Sequence, residues 1–299
     1  MTQSATPGAL LFERSCTVQV GTLLIPGGTQ GFGLRIAFKV KRGVKVTQGV
    51  TKPQPNTCDL KIWNLSLSHQ KQLEQSTVPG AGKTVVPVII SAGYQKSAHA
   101  IFSGELRAGH TVTDHADSTT ELTTGDGDQA LTQKRLTIAL GKGTTATQGI
   151  NAILTALGIG QGNLPTAIRL LQAQPLAAQL FAKGVVMKGS ASQVMTTFCR
   201  SVGLDWSIQN GALQITDLNQ PVAGTAVLLD SEHGLIGSPT VDTTGLLSCK
   251  TEMIPNVFPG TKLSLNAKTV KGGFRVLSVE TVGDTSGNEW GHNIEAIRY

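Results

Sequence analysis

Apolar and polar residues alternate along several short stretches of the chain, and a period of two is typical of strands that are buried on one face. In residues 34–41, Leu34, Ile36 and Phe38 share one face, and the charged residues lie mostly on the other. The same alternation returns in the last third of the chain, so both terminal regions are predicted to be β-rich. Strands are predicted at residues 16–25, 34–41, 55–66, 84–92, 99–106, 246–251, 262–265, 274–282 and 290–298, with one short helix at 68–75.

The hydrophobic period becomes helical between residues 145 and 203. Thr147 is predicted to cap a helix that Gly158 ends. Its buried stripe is predicted to consist of four apolar residues: Ile150, Ile153, Leu154 and Leu157.

Two further helical pieces follow this first helix. One is predicted from the apolar set Ala167, Ile168 and Leu171 and is broken near Pro175, because proline cannot continue a helix. The other is predicted at residues 176–181.

The last helix of this region is predicted to start at a Ser192 cap and to stop at Gly203. A short polar side chain can satisfy a first-turn N–H, and glycine adopts the left-handed conformation at a helix end without strain. The apolar residues of this helix recur at helical spacing: Ala191, Val194, Met195, Phe198 and Val202.

A hairpin is predicted directly after this helix. Asn210-Gly211 is a strong signal for a two-residue turn, because both residues tolerate positive φ. A turn at this place pairs Ile208 with Leu213 and Trp206 with Ile215, so all four apolar side chains share one face. A helix packed on a small antiparallel sheet is therefore predicted, with no reactive group in it.

The composition limits the classes of protein to which the chain can belong. The chain has 299 residues, 39% hydrophobic and 15% charged, and it carries a net charge of +6. No run of Lys or Arg exceeds two residues, so a clustered nucleic-acid-binding stripe is not indicated. The N-terminus lacks a signal-peptide pattern, and the apolar runs are too short to span a bilayer, so synthesis in a cytoplasm without membrane insertion is expected.

The four cysteines are predicted to be buried free thiols. None of them forms a Cys-x-x-Cys pair, the spacing typical of metal ligands. The cysteines are Cys16, Cys58, Cys199 and Cys249.

Residues 80–84 (GAGKT) imitate the end of a phosphate-binding loop. A functional loop of this kind needs an earlier glycine where this chain has Thr77, and it lies between a preceding strand and a following helix. Here the predicted helix precedes and the predicted strand follows. A glycine turn without nucleotide binding is the better interpretation, and no catalytic role is assigned to Lys83.

Two acidic clusters are candidate metal sites. His110, Asp114, His115 and Asp117 carry ligand atoms, but the threonine-rich alternation around them favours a solvated loop or edge strand. Residues 126–128 (Asp-Gly-Asp) could begin a calcium loop, but Thr137 occupies the position where a glutamate is needed. A polar turn is predicted, and no catalytic, cofactor or metal residue is assigned in the chain.

Several motifs resemble the baseplate hub proteins of contractile-tailed bacteriophages. The stretch at residues 188–216 is similar to the middle of these proteins, and the motifs before and after it follow in the same order as in the family. The N-terminal motifs are PNTCDLKIWNLS (55–66), VIISAGY (88–94) and IFSGEL (101–106); the C-terminal ones are LIGSPTVDTTGL (235–246), PNVFPG (255–260) and GGFRVLSVETVGDTSGNEW (272–290).

The resemblance implies a mainly β, α+β protein in which two tail-tube-like β-barrel domains flank a smaller middle domain. The expected boundaries are residues 1–110, 111–218 and 219–299. The resemblance also implies a structural homotrimer with a central channel in the phage tail baseplate of the virion. Its partners would be the tail tube protein, the central spike protein and other baseplate subunits, with DNA or the tape-measure protein passing through.

Two other functions compete with this one. A tail-associated cell-wall hydrolase needs converging carboxylates, but acidic residues are sparse and no G-x-S-x-G or H-E-x-x-H motif occurs. A carbohydrate-binding β module needs an aromatic platform, but Trp63, Trp206 and Trp290 fall in three different regions. No specific residue in the sequence supports either alternative.

Overall fold

The computed structural model describes residues 13–28, 33–43, 45–47, 50–52, 55–77, 85–94, 98–173, 184–201, 203–217, 220–222 and 224–299. They divide into two compact units. The β unit comprises Met1–Gly43, Asn56–Gly125 and Gly224–Tyr299, and the second unit comprises Val44–Pro55 and Asp126–Ala223.

The described elements are nineteen strands and five helices. The helices are α1 (Leu67–Thr77), α2 (Asp128–Thr132), α3 (Ala146–Leu157), α4 (Leu164–Ala173) and α5 (Ala191–Ser201). The strands are β1 (Arg14–Val20), β2 (Leu23–Gly28), β3 (Ile36–Gly43), β4 (Lys45–Thr47), β5 (Val50–Lys52), β6 (Asn56–Trp63), β7 (Pro87–Tyr94), β8 (His99–Asp114), β9 (Asp117–Asp126), β10 (Arg135–Leu140), β11 (Val185–Ser190), β12 (Leu204–Gln209), β13 (Ala212–Asp217), β14 (Val227–Leu229), β15 (Leu235–Val241), β16 (Leu246–Thr251), β17 (Lys262–Asn266), β18 (Lys271–Asp284) and β19 (Trp290–Arg298).

The β unit is built on one 13-stranded, largely antiparallel sheet, and the protein is mainly β as expected. Its order is β15-β16-β19-β18-β3-β6-β9-β8-β7-β1-β2, with β17 and β14 attached beside β18. The N-terminal and C-terminal β regions are joined where β3 pairs with β18, from Gly43↔Ser278 to Ala37↔Asp284. No pairing between described strands closes this sheet into a barrel, so the two β regions form a continuous sheet.

Each β region nevertheless has its own hydrophobic core. The alternation seen in the sequence places Ile36, Phe38 and Val40 inside the first core and Val276 and Ile294 inside the second. The C-terminal region also contributes to the first core, through Met253 and Trp290.

The two β regions repeat one topology. The first runs β3-β6-β9-β8-β7-β1 across the sheet, and the second runs β15-β16-β19-β18-β17-β14, with the corresponding strands in the same chain order. Both long strands carry a bulge at the corresponding place against their hairpin partners, between Leu106 and Ala108 in β8 and between Val276 and Ser278 in β18. The repeat departs from this rule at one pair, since β14 is parallel to β17 whereas β1 is antiparallel to β7.

One predicted strand of the β unit is divided. Residues 16–25 were expected to be continuous, but a turn at Gly21, with φ of 58°, separates β1 from β2 and folds them into a hairpin. A glycine in the left-handed region permits this turn within an otherwise apolar stretch.

The second unit packs its helices against two small sheets. The predicted hairpin is present, with Ile208↔Leu213 and Trp206↔Ile215 in register across the Asn210-Gly211 turn. Its apolar face joins one core with α3 and α5. The core members include the predicted helical residues Ile150, Ile153, Leu154, Leu157, Ala191, Met195 and Phe198.

Two predicted helix caps in this unit were wrong. Helix α3 is capped by Thr145, which exchanges hydrogen bonds with Gln148 in a capping box, and not by Thr147. Helix α5 begins at Ala191, so Ser192 lies inside the first turn and its hydroxyl donates to the carbonyl of Leu131 at 2.8 Å. The predicted helix ends are confirmed, since Gly158 has positive φ directly after α3 and Gly203 has positive φ two residues after the last residue given for α5.

The pair of strands β10 and β11 was not predicted. They form a two-stranded antiparallel sheet from residues 135–140, which precede the predicted helical part, and residues 185–190, which lie between two predicted helices. The helix predicted around Ala167 corresponds to α4. The break at Pro175, the helix at 176–181 and the stripe residue Val202 lie outside the described residues.

Candidate assembly site on the large sheet

The face of the large sheet that points away from both cores is polar across its central strands. The cross-strand register places Lys39 opposite Asp59 and Lys41 opposite Glu280, and it places Ser278 opposite Glu295. These residues alternate with buried ones, because successive side chains of a strand point to opposite faces. The polar face is defined by Lys39, Lys41, Asp59, Lys61, His110, Glu121, Ser248, Lys250, Ser278, Glu280, Asn293 and Glu295.

Side-chain contacts run along this polar face through the junction of the two β regions. Ser278 donates to Glu295 at 2.6 Å, and Lys39 pairs with Glu280 at 3.0 Å. Further along, Lys61 lies 2.7 Å from Glu121. The polar face is therefore continuous from the C-terminal region into the N-terminal one.

Charges of both signs are interleaved on the polar face. The hydrogen bond from Lys61 lowers the pKa of the Glu121 carboxyl, so this group stays ionised at neutral pH. The lysines and the carboxylates of the polar face are equal in number, so the face has little net charge despite the basic composition of the chain. Binding of a polyanion depends largely on cations that release its counterions, so such a face stays hydrated without holding nucleic acid tightly.

The junction of β3 with β18 is fixed by polar contacts at one end. The Arg35 guanidinium makes two hydrogen bonds to the Asp284 carboxylate, at 2.7 and 3.2 Å. Ile36 and Thr285 exchange hydrogen bonds at 3.0 Å, one from the Ile36 N–H to the Thr285 hydroxyl and one from the Thr285 N–H to the Ile36 carbonyl. Partial burial would raise the pKa of Asp284, but its hydrogen bonds from Arg35 and from main-chain N–H groups outweigh that effect and lower it.

Aromatic packing supports the same junction from the core side. The Trp290 ring meets Phe38 edge-on at a centroid distance of 5.7 Å and Tyr94 at 6.4 Å. The guanidinium of Arg14 lies 5.5 Å from the Trp290 ring centroid. A tryptophan from the last strand thus completes the core of the first β region.

A neutral histidine is buried near the junction. One ring nitrogen of His292 lies 2.9 Å from the Thr281 hydroxyl and the other 2.9 Å from the Ile254 carbonyl. Burial lowers the pKa of His292 to about 4, and the nearby charges of His99 and Arg42 lower it further, against the raising effect of the bond to Ile254. The imidazole therefore acts as an uncharged link between strands at neutral pH.

The sheet has open edges in this unit. Among the described residues, β15 has no partner strand on its outer side, and β2 makes only one isolated parallel bridge there, from Gly27 to Leu34. Both strands expose apolar side chains, with Leu24 at 61% and Ile236 at 42% of their full exposure. Pro26 lies in β2 and Pro239 in β15, and proline at an edge limits further pairing. Edge strands that expose apolar side chains, and in which proline prevents further pairing only in part, are typical of strands that contact another protein chain.

The residues considered as metal ligands in the sequence lie in a hairpin and beside a short helix. His110, Asp114, His115 and Asp117 lie in the β8–β9 hairpin, as the strand interpretation predicted, and within the described ranges no group of three potential ligands converges. Asp126 is buried and Gly127 precedes α2 with φ of 75°. The GAGKT segment with Lys83 lies outside the described residues.

The four cysteines are buried free thiols, as predicted. Burial raises the pKa of Cys16 to about 12 and that of Cys249 to about 11, and it also raises the pKa of Cys58 and Cys199. In the part of the chain that is described, no helix is both long and apolar enough to cross a membrane.

Sequence reasoning identified some members of the polar face but not the face itself. Alternation identified Lys39 and Lys61 as outward-facing residues of single strands. Their alignment with Glu280 depends on the pairing of β3 with β18, which lie at opposite ends of the chain. No local signal in the sequence indicates that pairing.

The sequence matches no family model and no curated protein. Several solved structures share its fold at low sequence identity. The 43 kDa tail protein of prophage MuSo2 from Shewanella oneidensis has a TM-score of 0.61 and 10% identity, covering 96% of this chain and 98% of that protein. A tail protein from Neisseria meningitidis MC58 has a TM-score of 0.58 and 11% identity, covering 95% and 96%.

A third similar structure comes from a secretion system. The E. coli c3393 protein is described as a type VI secretion component with structural similarity to the T4 bacteriophage tail proteins gp27 and gp5. It has a TM-score of 0.55 and 10% identity, covering 94% of this chain and 76% of that protein. The chain therefore has a fold that is also found in phage tail proteins and in a related secretion component.

Proposed function

We propose that this chain is a structural baseplate hub protein of a contractile phage tail, in which three copies form a ring between the tail tube and the central spike. The observation that carries the proposal is the continuous polar face, which spans both β regions while both hydrophobic cores lie on the other side of the sheet. Turned inward, this face lines a hydrated central channel.

The two β regions act as two tail-tube-like, barrel-like lobes of each subunit, within residues 1–110 and 219–299. Their separate cores and repeated strand order support two lobes, and the first of these also includes β9 (Asp117–Asp126), which lies beyond residue 110. Three copies then present six similar lobes to a tube of six-fold symmetry. The middle region, residues 111–218, contains most of the helices and contacts neighbouring subunits outside the ring.

The charge pattern of the polar face fits a conduit. Interleaved lysines and carboxylates give a wet surface with little net attraction for a polyanion. DNA or the tape-measure protein passes such a surface without being retained. The tail tube protein, the spike protein and other baseplate subunits occupy the two ends and the outside of the ring in the virion, after synthesis of the chain in the host cytoplasm.

A structural rather than an enzymatic role is part of this proposal. Two lysine–carboxylate pairs, Lys39–Glu280 and Lys61–Glu121, lie along the polar face, and the charged residues of this face occupy outward-facing positions of its strands. No arrangement among the described side chains favours a cell-wall hydrolase or a carbohydrate-binding module.

The test is the copy number and the position of the chain in intact tails. Cryo-electron microscopy of particles, combined with quantitative mass spectrometry, is expected to find three copies between tube and spike. Six copies, or a position at the periphery of the baseplate, would contradict the proposal.

A further inference from the structure

One hairpin turn brings together the two dipeptides of the chain that favour a spontaneous reaction of asparagine and aspartate side chains. Asn210-Gly211 is the only Asn-Gly in the sequence, and Asp126-Gly127 is the only Asp-Gly. In such dipeptides the main-chain nitrogen of glycine attacks the side-chain carbonyl carbon of the residue before it, since glycine has no side chain to obstruct the approach. An amide loses ammonia more readily than a carboxylate loses water, so Asn210 is the reactive member of the two.

The reaction at Asn210 is a ring closure followed by hydrolysis. The nitrogen of Gly211 loses its proton and forms a bond to Cγ of Asn210, and the side-chain nitrogen of Asn210 leaves as ammonia. Water then opens the five-membered imide at one of its two carbonyl groups, which gives either aspartate or isoaspartate. Water is the only co-reactant, and no group is oxidised or reduced.

The folded turn holds the attacking nitrogen. The N–H of Gly211 donates to one oxygen of Asp126 at 2.7 Å, and the N–H of Asn210 donates to the other oxygen at 2.7 Å. On its other side, the carbonyl of Gly211 accepts from the N–H of Gly160 at 2.9 Å. Ring closure removes the proton that Gly211 donates and turns its nitrogen toward Cγ of Asn210, so the hydrogen bond to Asp126 must break first.

The charge of the Asp126 carboxylate acts in the same direction. The attack requires the nitrogen of Gly211 to become negative, and a neighbouring negative charge disfavours that form. A carboxylate is also too weak a base to remove the proton of a main-chain amide. Asp126 is only 1% exposed, so solvent screens its charge weakly.

The tip of the turn is not shielded from solvent. Gly211 is exposed, and a Cβ atom placed on it would have no other atom within 4 Å. Water and hydroxide therefore reach this peptide group from outside. Slow reaction of the folded chain would thus depend on the hydrogen bonds of the turn rather than on burial.

We propose that Asn210 is a deamidation site, which Asp126 keeps unreactive in the folded chain and which reacts when the hairpin opens. The reaction is irreversible, because the ammonia is lost to solvent. Isoaspartate adds one carbon atom to the main chain of a two-residue turn, so the modified hairpin no longer presents both N–H groups to Asp126. A copy whose hairpin opens before assembly is therefore altered permanently. This inference is independent of the proposed ring.

Peptide mapping by mass spectrometry measures the rate of deamidation at residue 210 in the full chain, and enzymatic methylation detects the isoaspartate. In mildly alkaline buffer the intact chain is expected to react slowly when folded and rapidly in urea. Folded Asp126→Ala is expected to react at least about tenfold faster than the intact chain, because the loss of two hydrogen bonds increases the population of the open turn. Asn256 also has positive φ, but Val257 follows it, so it should stay unmodified in every sample.

The matched control is Ile153→Val, which lowers the stability of the same unit from within its core and leaves the turn residues unchanged. Urea is added until Ile153→Val and Asp126→Ala have the same free energy of unfolding. The control is then expected to react more slowly than Asp126→Ala. Equal rates in these two variants would overturn the inference, since the reaction would follow general stability and not the Asp126 contact.

Two other results would also overturn it. One is a rate in folded Asp126→Ala that is no higher than in the intact chain, and the other is an intact chain that reacts as fast when folded as in urea. Trp206 fluorescence checks that each variant is folded, because this ring lies in the core beside the hairpin. If Asp126→Ala does not fold, Asp126→Ser replaces it in the same comparison, since its uncharged hydroxyl offers one acceptor oxygen in place of two.

Discussion

The Asp126 carboxylate holds the tip of a hairpin through Gly211, whose N–H donates to one of its oxygens at 2.7 Å, while the Asn210 N–H donates to the other oxygen at 2.7 Å. Both turn residues have positive φ, which turns their adjacent N–H groups toward a single acceptor. Asp126 is buried, so this pairing satisfies a carboxylate that would otherwise be costly to bury. The first residue of the Asp-Gly-Asp motif thus connects the start of the second unit to the hairpin turn by hydrogen bonds.

Replacing Asp126 by Ala should destabilise the second unit by about 1–3 kcal/mol, because two main-chain N–H groups of the turn lose a charged acceptor. Chemical denaturation followed by fluorescence is suitable, since Trp206 lies in the affected core. Asp114→Ala, at an exposed hairpin position, is the control and should leave the midpoint unchanged. Equal midpoints for the two variants would contradict the role of Asp126.

Replacing Gly211 by Val should cost roughly 1–3 kcal/mol, because a β-branched residue at φ of 74° is strained. A Cβ atom placed on this residue would have no other atom within 4 Å, so the cost is conformational rather than steric. Gly211→Asn is the matched control and should cost clearly less, since asparagine tolerates this region. Equal losses in the two variants would mean that the turn conformation is wrong.

Replacing Gly283 by Ala should weaken the junction of the two β regions by about 1–3 kcal/mol through overpacking. A Cβ at this position would meet the Phe38 ring, with Cε1 at 2.7 Å. Val282→Ala, on the opposite face of the same strand, is the control and should be milder. Thermal unfolding monitored by calorimetry measures the difference, and an unchanged transition for Gly283→Ala would count against the β3–β18 packing.

Stability should fall as the pH drops from about 6.5 toward 4, because His292 is neutral in the folded state. Its folded pKa is lowered to about 4, so in this window the unfolded chain binds a proton that the folded chain does not. The contribution of His292 to the free energy of unfolding is complete above the pKa of this group in the unfolded state. Below that pKa it decreases by up to about 1.4 kcal/mol for each pH unit. His292→Gln should flatten the slope between pH 5 and 6.5, whereas His115→Gln, at an exposed position, should not. An unchanged slope in His292→Gln would contradict burial of a neutral imidazole.

Reductant or chelator should leave the melting temperature unchanged, because the four thiols are free and the candidate ligands do not converge in the described ranges. The thiols should react with a disulfide reagent only on unfolding, since burial raises their pKa and shields them. Thiol titration with and without denaturant checks this. A drop of several degrees with either additive, or fast reaction of the native protein, would contradict it.

Features that depend on neighbours in the chain could be predicted from the sequence. The Asn210-Gly211 turn fixed the register of β12 and β13, and Gly158 and Gly203 marked the ends of α3 and α5. The capping box of Thr145 and Gln148 also had a local signal, which the choice of Thr147 overlooked. Alternation identified the outward-facing residues of β3 and β6, because side-chain direction follows directly from strand geometry.

Features that depend on distant partners were decided only by the tertiary structure. Nothing near Asp126 indicates that it binds a turn 84 residues away, so its motif was interpreted as a polar turn. The pairing of β3 with β18 joins two regions that look separate in the sequence, and it creates the continuous polar face. Periodicity along a strand specifies which side chains share a face, but the main-chain hydrogen bonds that choose a neighbour are the same for every residue except proline. The choice of neighbour, and with it the candidate assembly site, therefore depends on how the whole chain packs.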